Sequence, residues 1–487
     1  MRTPRAQLRR RIWLIGIGAL MALGPSVSAP ASQAIELQPL VSEFDLVRGA
    51  LTPPTEPECF QRTPARRCFN PASMRASYNV TPLINNHLDG SGQTIAIVDS
   101  FGSATIRTDL NNFDTQFGLP HMCGETGVTC RPGMPTFNTL DIQGTIPAVP
   151  PPPNNGTGQE AHNLWALEVS LDVEWAHSIA PGANILLVTT PTAETLGVQG
   201  FPQMMNAEQF VVDKHLASVI SQSFGAAEES FASVQSLQNL RGAFEAAQAA
   251  GITVLASSGD GGTANILKEP VKNPQTIPFP TVIWPASDPL VTAVGGTYLC
   301  TEPVSGSLSA DSADPPVNCQ SQPGQREVGW IDAGGGFSHV FGVPTFQTGA
   351  LPTGSTPISA GRGVPDVGYQ ASARTGVLVY DTDFSTGGGW FIVGGTSSGS
   401  PQWAALVAIA AQKNGGPLGL INPALYRIGA DSARWSKDFF DVTTGNNQAD
   451  PTIPGFNATP GWDPVTGLGT PNAANLIPDL VLAVHGQ

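Results

Sequence analysis

Charge is scarce in this chain. Asp, Glu, Lys and Arg make up 13% of 487 residues, and 23 Lys and Arg face 38 Asp and Glu, for a net charge of -15. So acidic a balance argues against nucleic acid or an anionic membrane surface as a partner. Beyond residue 34 no apolar run is long enough to span a bilayer, so no membrane partner is expected. Internal repeats are missing, which excludes a solenoid or propeller array. Cysteine is sparse, and no two cysteines have the CxxC spacing of a structural zinc site.

What is plentiful is Gly (54) and Pro (44), a composition suited to a large core with long, turn-rich loops rather than to disorder. The first 34 residues carry Arg2, Arg5, Arg9, Arg10 and Arg11 with no acid. An apolar stretch from Ile12 to Leu23 follows, then a small-residue run ending Ala31-Ser32-Gln33-Ala34. These are the three zones of a signal peptide, and the paired arginines leave a twin-arginine route open. Its removal takes the net charge to -20 and leaves about 450 residues, expected to be soluble, monomeric and secreted, in extracellular or periplasmic space. In that setting the couples Cys59 with Cys68, Cys123 with Cys130 and Cys300 with Cys319 read as three loop-stapling disulfides.

Residues 35–75 are Pro-rich and read as an irregular N-terminal arm. The regular pattern begins at the turn Asp89-Gly90-Ser91-Gly92, followed by an apolar run from Gln93 to Val98 that ends at Asp99. Similar runs recur at Ile185 to Val188, Val219 to Ser221, Ile252 to Ala256 and Val291 to Val294, with helical segments between several of them. One helix is expected from Ser233 to Ala250, stopped by Gly251. The alternation implies an α/β fold: a doubly wound, mainly parallel sheet with helices on both faces. The proline-rich stretch 147–153 reads as a surface loop, and 301–327 as a polar insertion pinned by Cys300 and Cys319.

Three segments carry chemistry. From Leu164 to Ala176 the helix is apolar on nearly every side, so it should be buried, and Glu168 and Asp172 lie one turn apart on one face of it. An ordinary solvated acid pair has the same spacing. In apolar surroundings, however, two neighbouring carboxyls share a proton, which suits acid/base work near the pH of a carboxyl group. Gly394-Gly395-Thr396-Ser397-Ser398-Gly399-Ser400-Pro401 leads into an apolar helix. Ser397 therefore stands at a helix mouth, where free backbone N–H groups favour a developing negative charge; a plain helix cap is the structural alternative. Asp260, in Ser257-Ser258-Gly259-Asp260, follows an apolar strand, where either a turn residue or a site residue is found.

Together these segments resemble the sedolisins, serine-carboxyl peptidases on a subtilisin-like fold. The resemblance runs from about Met74 to the C-terminus, giving a peptidase domain over 76–487. It rests on Glu168-Val-Ser-Leu-Asp172, Ser257-Ser258-Gly259-Asp260 and Gly395-Thr396-Ser397 with Pro401. Pro285-Ala286-Ser287 to Gly295-Gly296-Thr297, Gly334-Gly335-Gly336-Phe337-Ser338 and Pro365-Asp366-Val367 add to it. It implies that Ser397 is the nucleophile acting on protein or peptide substrates, Glu168 its base with Asp172 orienting it, and Asp260 with the Ser397 N–H the oxyanion site. Asp260 donates only while protonated, so an acidic optimum of about pH 3 to 5 is expected.

Asp441-Val442 and Gly461-Trp462-Asp463 to Gly469 resemble the family's calcium loop, over 441–469. The resemblance implies one structural Ca²⁺ held by the Asp441 and Asp463 carboxylates and the carbonyls of Val442, Thr459 and Gly461. Without it, the two acids read as turn or cap residues. The chain departs from the family in one respect: only about 40 residues separate the leader from the family-like region, so activation by loss of a long prodomain is not expected. A true subtilisin is the nearest rival, since Val98-Asp99-Ser100 ends the first strand where that family keeps its Asp. None of the histidines at 87, 121, 162, 177, 215, 339 and 485 opens a helix in a His-Gly-Thr setting, so Asp99 reads as a strand-end or supporting residue. A non-catalytic binding protein on the same fold is the other alternative.

Overall fold

Strand β1 (Thr94–Ser100) is the axis of the structure. With β2 (Phe137–Asp141), β3 (Asn184–Thr190), β4 (Val219–Gln222), β5 (Thr253–Ser257), β6 (Thr292–Leu299), β7 (Glu327–Gly329) and β8 (Val367–Gln370) it forms an eight-stranded sheet. The order is β7-β6-β5-β4-β1-β3-β2, with β8 also paired to β6. Every pairing is parallel except β6 with β7. The computed structural model describes residues 38–39, 44–142, 158–190, 200–268, 275–306, 319, 324–383 and 387–487. The expected leader, the 147–153 loop and most of the 301–327 insertion lie outside these residues.

Side chains of a strand alternate between faces, and β1 shows what each face meets. Ile95 and Ile97 join one core with Leu167 and Leu171 of helix α2 (Gly158–Ile179), Leu110 and Phe113 of α1 (Ile106–Phe117), and Leu406 and Ile409 of α5 (Gly399–Asn414). Ala96 and Val98 join the other, with Met204 and Val211 of α3 (Phe201–Asp213) and Phe244 and Ala247 of α4 (Gly242–Ala250). The sheet is therefore covered on both faces, as a parallel sheet requires. Each fully buried Leu or Ile contributes about 1.5–3 kcal/mol relative to exposure. Among the described residues no helix is long and apolar enough to cross a membrane.

Two expectations are corrected. The helix expected over 233–250 is two helices, Val234–Gln238 and α4, because Leu240 and Arg241 donate to carbonyls three residues back rather than four. The break lets Arg241 form a bidentate pair with Asp288, Nε to Oδ2 at 2.6 Å and Nη2 to Oδ1 at 3.0 Å. The stretch read as irregular over 35–75 instead holds Phe44–Arg48, paired antiparallel to the strand Gly389–Val393, and Arg67–Phe69, paired parallel to Thr375–Asp381. Three disulfides close as expected, Cys59–Cys68, Cys123–Cys130 and Cys300–Cys319.

Candidate active site

The site gathers where parallel α/β sheets keep theirs, at the carboxyl ends of the strands. Asp99 shares the strand parity of Ile95 and Ile97, so β1 aims it at the α2 face. It is completely buried and no hydrogen bond reaches either carboxyl oxygen. Glu168 and Asp172, on α2, are equally buried. Ser223, just past β4, donates from Oγ to Asp172 Oδ2 at 2.8 Å.

Ser397 sits in a single 3₁₀ turn, Thr396–Ser398, that runs directly into α5. Gly395 enters it at φ 117°, a conformation that side chains rarely adopt. The turn is fixed on both sides: Ser398 Oγ donates to Gln370 Oε1 at 2.9 Å, and Ser400 Oγ lies 2.9 Å from Ser221 Oγ on β4. The Ser397 hydroxyl is buried and lies close enough to Glu168 to favour its charged form.

After β5, Gly259 turns the chain at φ 113° and sets Asp260 against the same turn. Asp260 Oδ1 accepts from Thr396 N and from Thr396 Oγ1, both at 2.8 Å, while Thr396 Oγ1 accepts from Gly259 N at 3.1 Å. The glycine run braces this strand end from outside. Gly334 N donates to the Gly259 carbonyl at 2.7 Å, and a Cβ at Gly334 would lie 2.0 Å from the Ser258 carbonyl oxygen.

The electrostatics follow from burial. Desolvation pushes Glu168 and Asp172 well above the usual carboxylate range, and the negative charge of Asp99 pushes both further. The Ser397 and Ser223 hydroxyls act the other way on Glu168, and Asp260 adds to the upward push. Asp99 itself is raised by burial to about 8. Glu168, Asp172, Asp260 and Ser397, which lie far apart in sequence, thus come to one place. Sequence reasoning gave Asp99 as a strand-end or supporting residue and missed Ser223. The parity of β1 was the available signal for Asp99; nothing local marks Ser223.

The residues expected to hold calcium also converge. Gly461 N donates to Asp441 Oδ1 at 3.1 Å, and Asp463 Oδ2 accepts from Thr459 N at 3.1 Å. Asp463 is buried and pushed up to about 7 by desolvation. Among the described residues the carbonyls of Val442, Thr459 and Gly461 accept no hydrogen bond. Two carboxylates and three uncommitted carbonyls on one loop are an all-oxygen set that fits a hard divalent cation.

Fold and site together define a class: an α/β protein with a mainly parallel sheet, a serine at a helix mouth and carboxyls from a buried helix and from strand ends around it. No family model matches the chain. Pseudomonas sedolisin, a serine-carboxyl proteinase, superposes with a TM-score of 0.62 at 27% identity, covering 85% of this chain and 98% of that one. Kumamolisin from Bacillus sp. is 32% identical over 404 residues, 81% of this chain and 61% of that protein. Tripeptidyl-peptidase 1 from Canis lupus familiaris is 29% identical over 66% of this chain and 53% of its own length. The chain belongs to the sedolisin family. It spans less than two thirds of the length of these two curated relatives.

Proposed function

We propose that this protein is an exported, monomeric serine-carboxyl endopeptidase that cleaves unstructured proteins or peptides in acid. The observation that carries this is the burial of Ser397 together with Glu168 and Asp172, with Asp260 tied to the residue before the serine. In this reading residues 1–34 are a removable leader and 76–487 the peptidase unit.

Glu168 takes the Ser397 proton as Oγ attacks the peptide carbonyl. Asp172, fixed by the Ser223 hydroxyl, shares charge with Glu168 and holds it in place. Negative charge growing on the carbonyl oxygen is met by the Ser397 N–H and by protonated Asp260, whose other oxygen is anchored on Thr396. Glu168 then gives its proton to the leaving amine and later takes one from the water that hydrolyses the acyl-enzyme. Asp99 adds a third buried carboxyl, which disfavours full ionisation of the cluster and keeps a proton in it. Calcium would be held by Asp441, Val442, Thr459, Gly461 and Asp463 and would brace the C-terminal loop, taking no part in these steps.

The test is hydrolysis of an unfolded protein substrate between pH 2 and 8 by the wild-type chain and by Ser397→Ala. Acid-optimal cleavage lost in the variant is the expected result. Equal cleavage by both, or a maximum at pH 8, overturns the reading.

A further inference from the structure

A second cluster of titratable side chains lies away from the proposed catalytic residues, where α1 meets the loop after it. Helix α1 ends at Gly118, and the chain then runs through a segment stapled by Cys123–Cys130 before it enters β2. Asp114, on the last turn of α1, and His121 and Glu125, on the loop, each present a ligand atom, and these atoms all lie within 4.8 Å of one another.

Asp114 is the informative member. Its side chain is completely buried, and neither oxygen receives a hydrogen bond. His177 of α2 pairs with it at long range, Nε2 to Asp114 Oδ2 at 3.4 Å, and shares that nitrogen with the Pro120 carbonyl at 2.8 Å. Arg75, the other cation whose charge Asp114 feels, donates from Nε to the Ser178 carbonyl. A buried carboxylate whose one cationic contact is long and shared stays costly, and a closer positive charge would relieve it.

The other two groups are prepared for an ion. Glu125 is buried and oriented by Asn111 Nδ2, which donates to Oε2 at 2.9 Å, and by the backbone N–H of Met122 on Oε1. His121 Nδ1 lies 2.6 Å from Glu125 Oε2. The His121 side chain is 37% exposed, which gives an ion a way in from solvent. Supporting hydrogen bonds to a ligating carboxylate are the usual second layer of a metal site.

We propose that Asp114, His121 and Glu125 form a binding site for a divalent transition ion of the zinc class. One imidazole nitrogen and two carboxylate oxygens are a mixed set that borderline ions such as Zn²⁺ accept, whereas Ca²⁺ takes more ligands, all oxygen. The bound ion neutralises Asp114 and fastens the disulfide-closed loop to α1. It is separate from the calcium loop, with which it shares no residue.

The test uses the whole chain at neutral pH with Ca²⁺ present, and Co²⁺ and Zn²⁺ as probes. One Co²⁺ per chain with visible ligand-field bands is expected for wild type, with a Zn²⁺-dependent rise in Tm. His121→Ala and Asp114→Asn weaken Co²⁺ binding by about 10- to 100-fold or more, while Asp463→Asn keeps it. Near-ultraviolet circular dichroism checks that each variant is folded. The proposal fails if wild type takes up no Co²⁺, or if folded His121→Ala gives the same stoichiometry and spectrum as wild type.

Discussion

Asp260 Oδ1 accepts both the backbone N–H and the hydroxyl of Thr396, each at 2.8 Å, so the end of β5 is bolted to the residue that precedes Ser397. The same hydroxyl accepts the Gly259 N–H at 3.1 Å. Thr396→Val keeps the shape and the backbone donor but removes both hydroxyl bonds. Under the proposed mechanism kcat falls by about tenfold to a hundredfold with KM nearly unchanged, because the oxyanion side of the site loosens while substrate contacts stay. Steady-state kinetics at acid pH decide it, and an unchanged kcat counts against the assignment of Asp260.

Asp99 raises the pKa of Glu168 and Asp172 by its charge. Asp99→Asn removes that charge, so the pair gives up its proton at lower pH. The alkaline limb of the kcat/KM profile should move toward acid while the chain remains active. A limb that stays put, or moves to higher pH, means that Asp99 does not act on the pair.

Stability should also favour acid. Asp99, Glu174 and Glu208 are buried and raised above their unfolded values, Asp99 to about 8. The folded state therefore binds more protons than the unfolded one above pH ~4, the ordinary carboxyl value, and stability declines as pH rises from there through the folded values. Glu208 lies on α3 and makes no hydrogen bond with either oxygen. Glu208→Leu should raise Tm at pH 8 more than at pH 4. Melting curves that show an equal shift at both values exclude ionisation of Glu208 as the cause.

If the loop of Asp441 and Asp463 holds Ca²⁺, chelation at neutral pH lowers Tm, since free ion at a hundred times its dissociation constant stabilises by ~2.7 kcal/mol. In protein first freed of transition ions and reloaded with Ca²⁺ alone, Asp463→Asn should melt at the same temperature with and without chelator. A chelator effect that survives the substitution puts the ion elsewhere.

Arg362 and Asp366 form a fully buried pair, Nη2 to Oδ2 at 2.7 Å, and Asp366, just before β8, also accepts from Ala293 N of β6 at 2.8 Å. Arg362→Met leaves Asp366 charged and buried, which should cost about 3–5 kcal/mol in urea unfolding. A loss under 1 kcal/mol, at the scale of surface pairs, shows that Asp366 is neutral in the folded state.

Much of this protein is set by residues close together in the chain. The apolar runs ending at Val98 and Ala256 place β1 and β5, and the spacing of Glu168 and Asp172 puts both on one face of α2. The glycines before Ser397 set up its turn, and each cysteine finds a partner within 19 residues. Strand parity, helix periodicity and turn chemistry are local properties, so composition and order suffice to read them.

The tertiary structure decided what depends on distant partners. Phe44–Arg48 is a strand because Gly389–Val393 offers it an edge, and the break in the helix expected over 233–250 coincides with a pairing of Arg241 to the distant Asp288. Ser223 reaches Asp172, and His121 and Glu125 reach Asp114, only after the sheet has stacked its helices. Above all, burial is a collective result of packing. The same carboxyl side chains would be ordinary acids in water, and it is the exclusion of water by two helical layers that raises Asp99, Glu168 and Asp172 together.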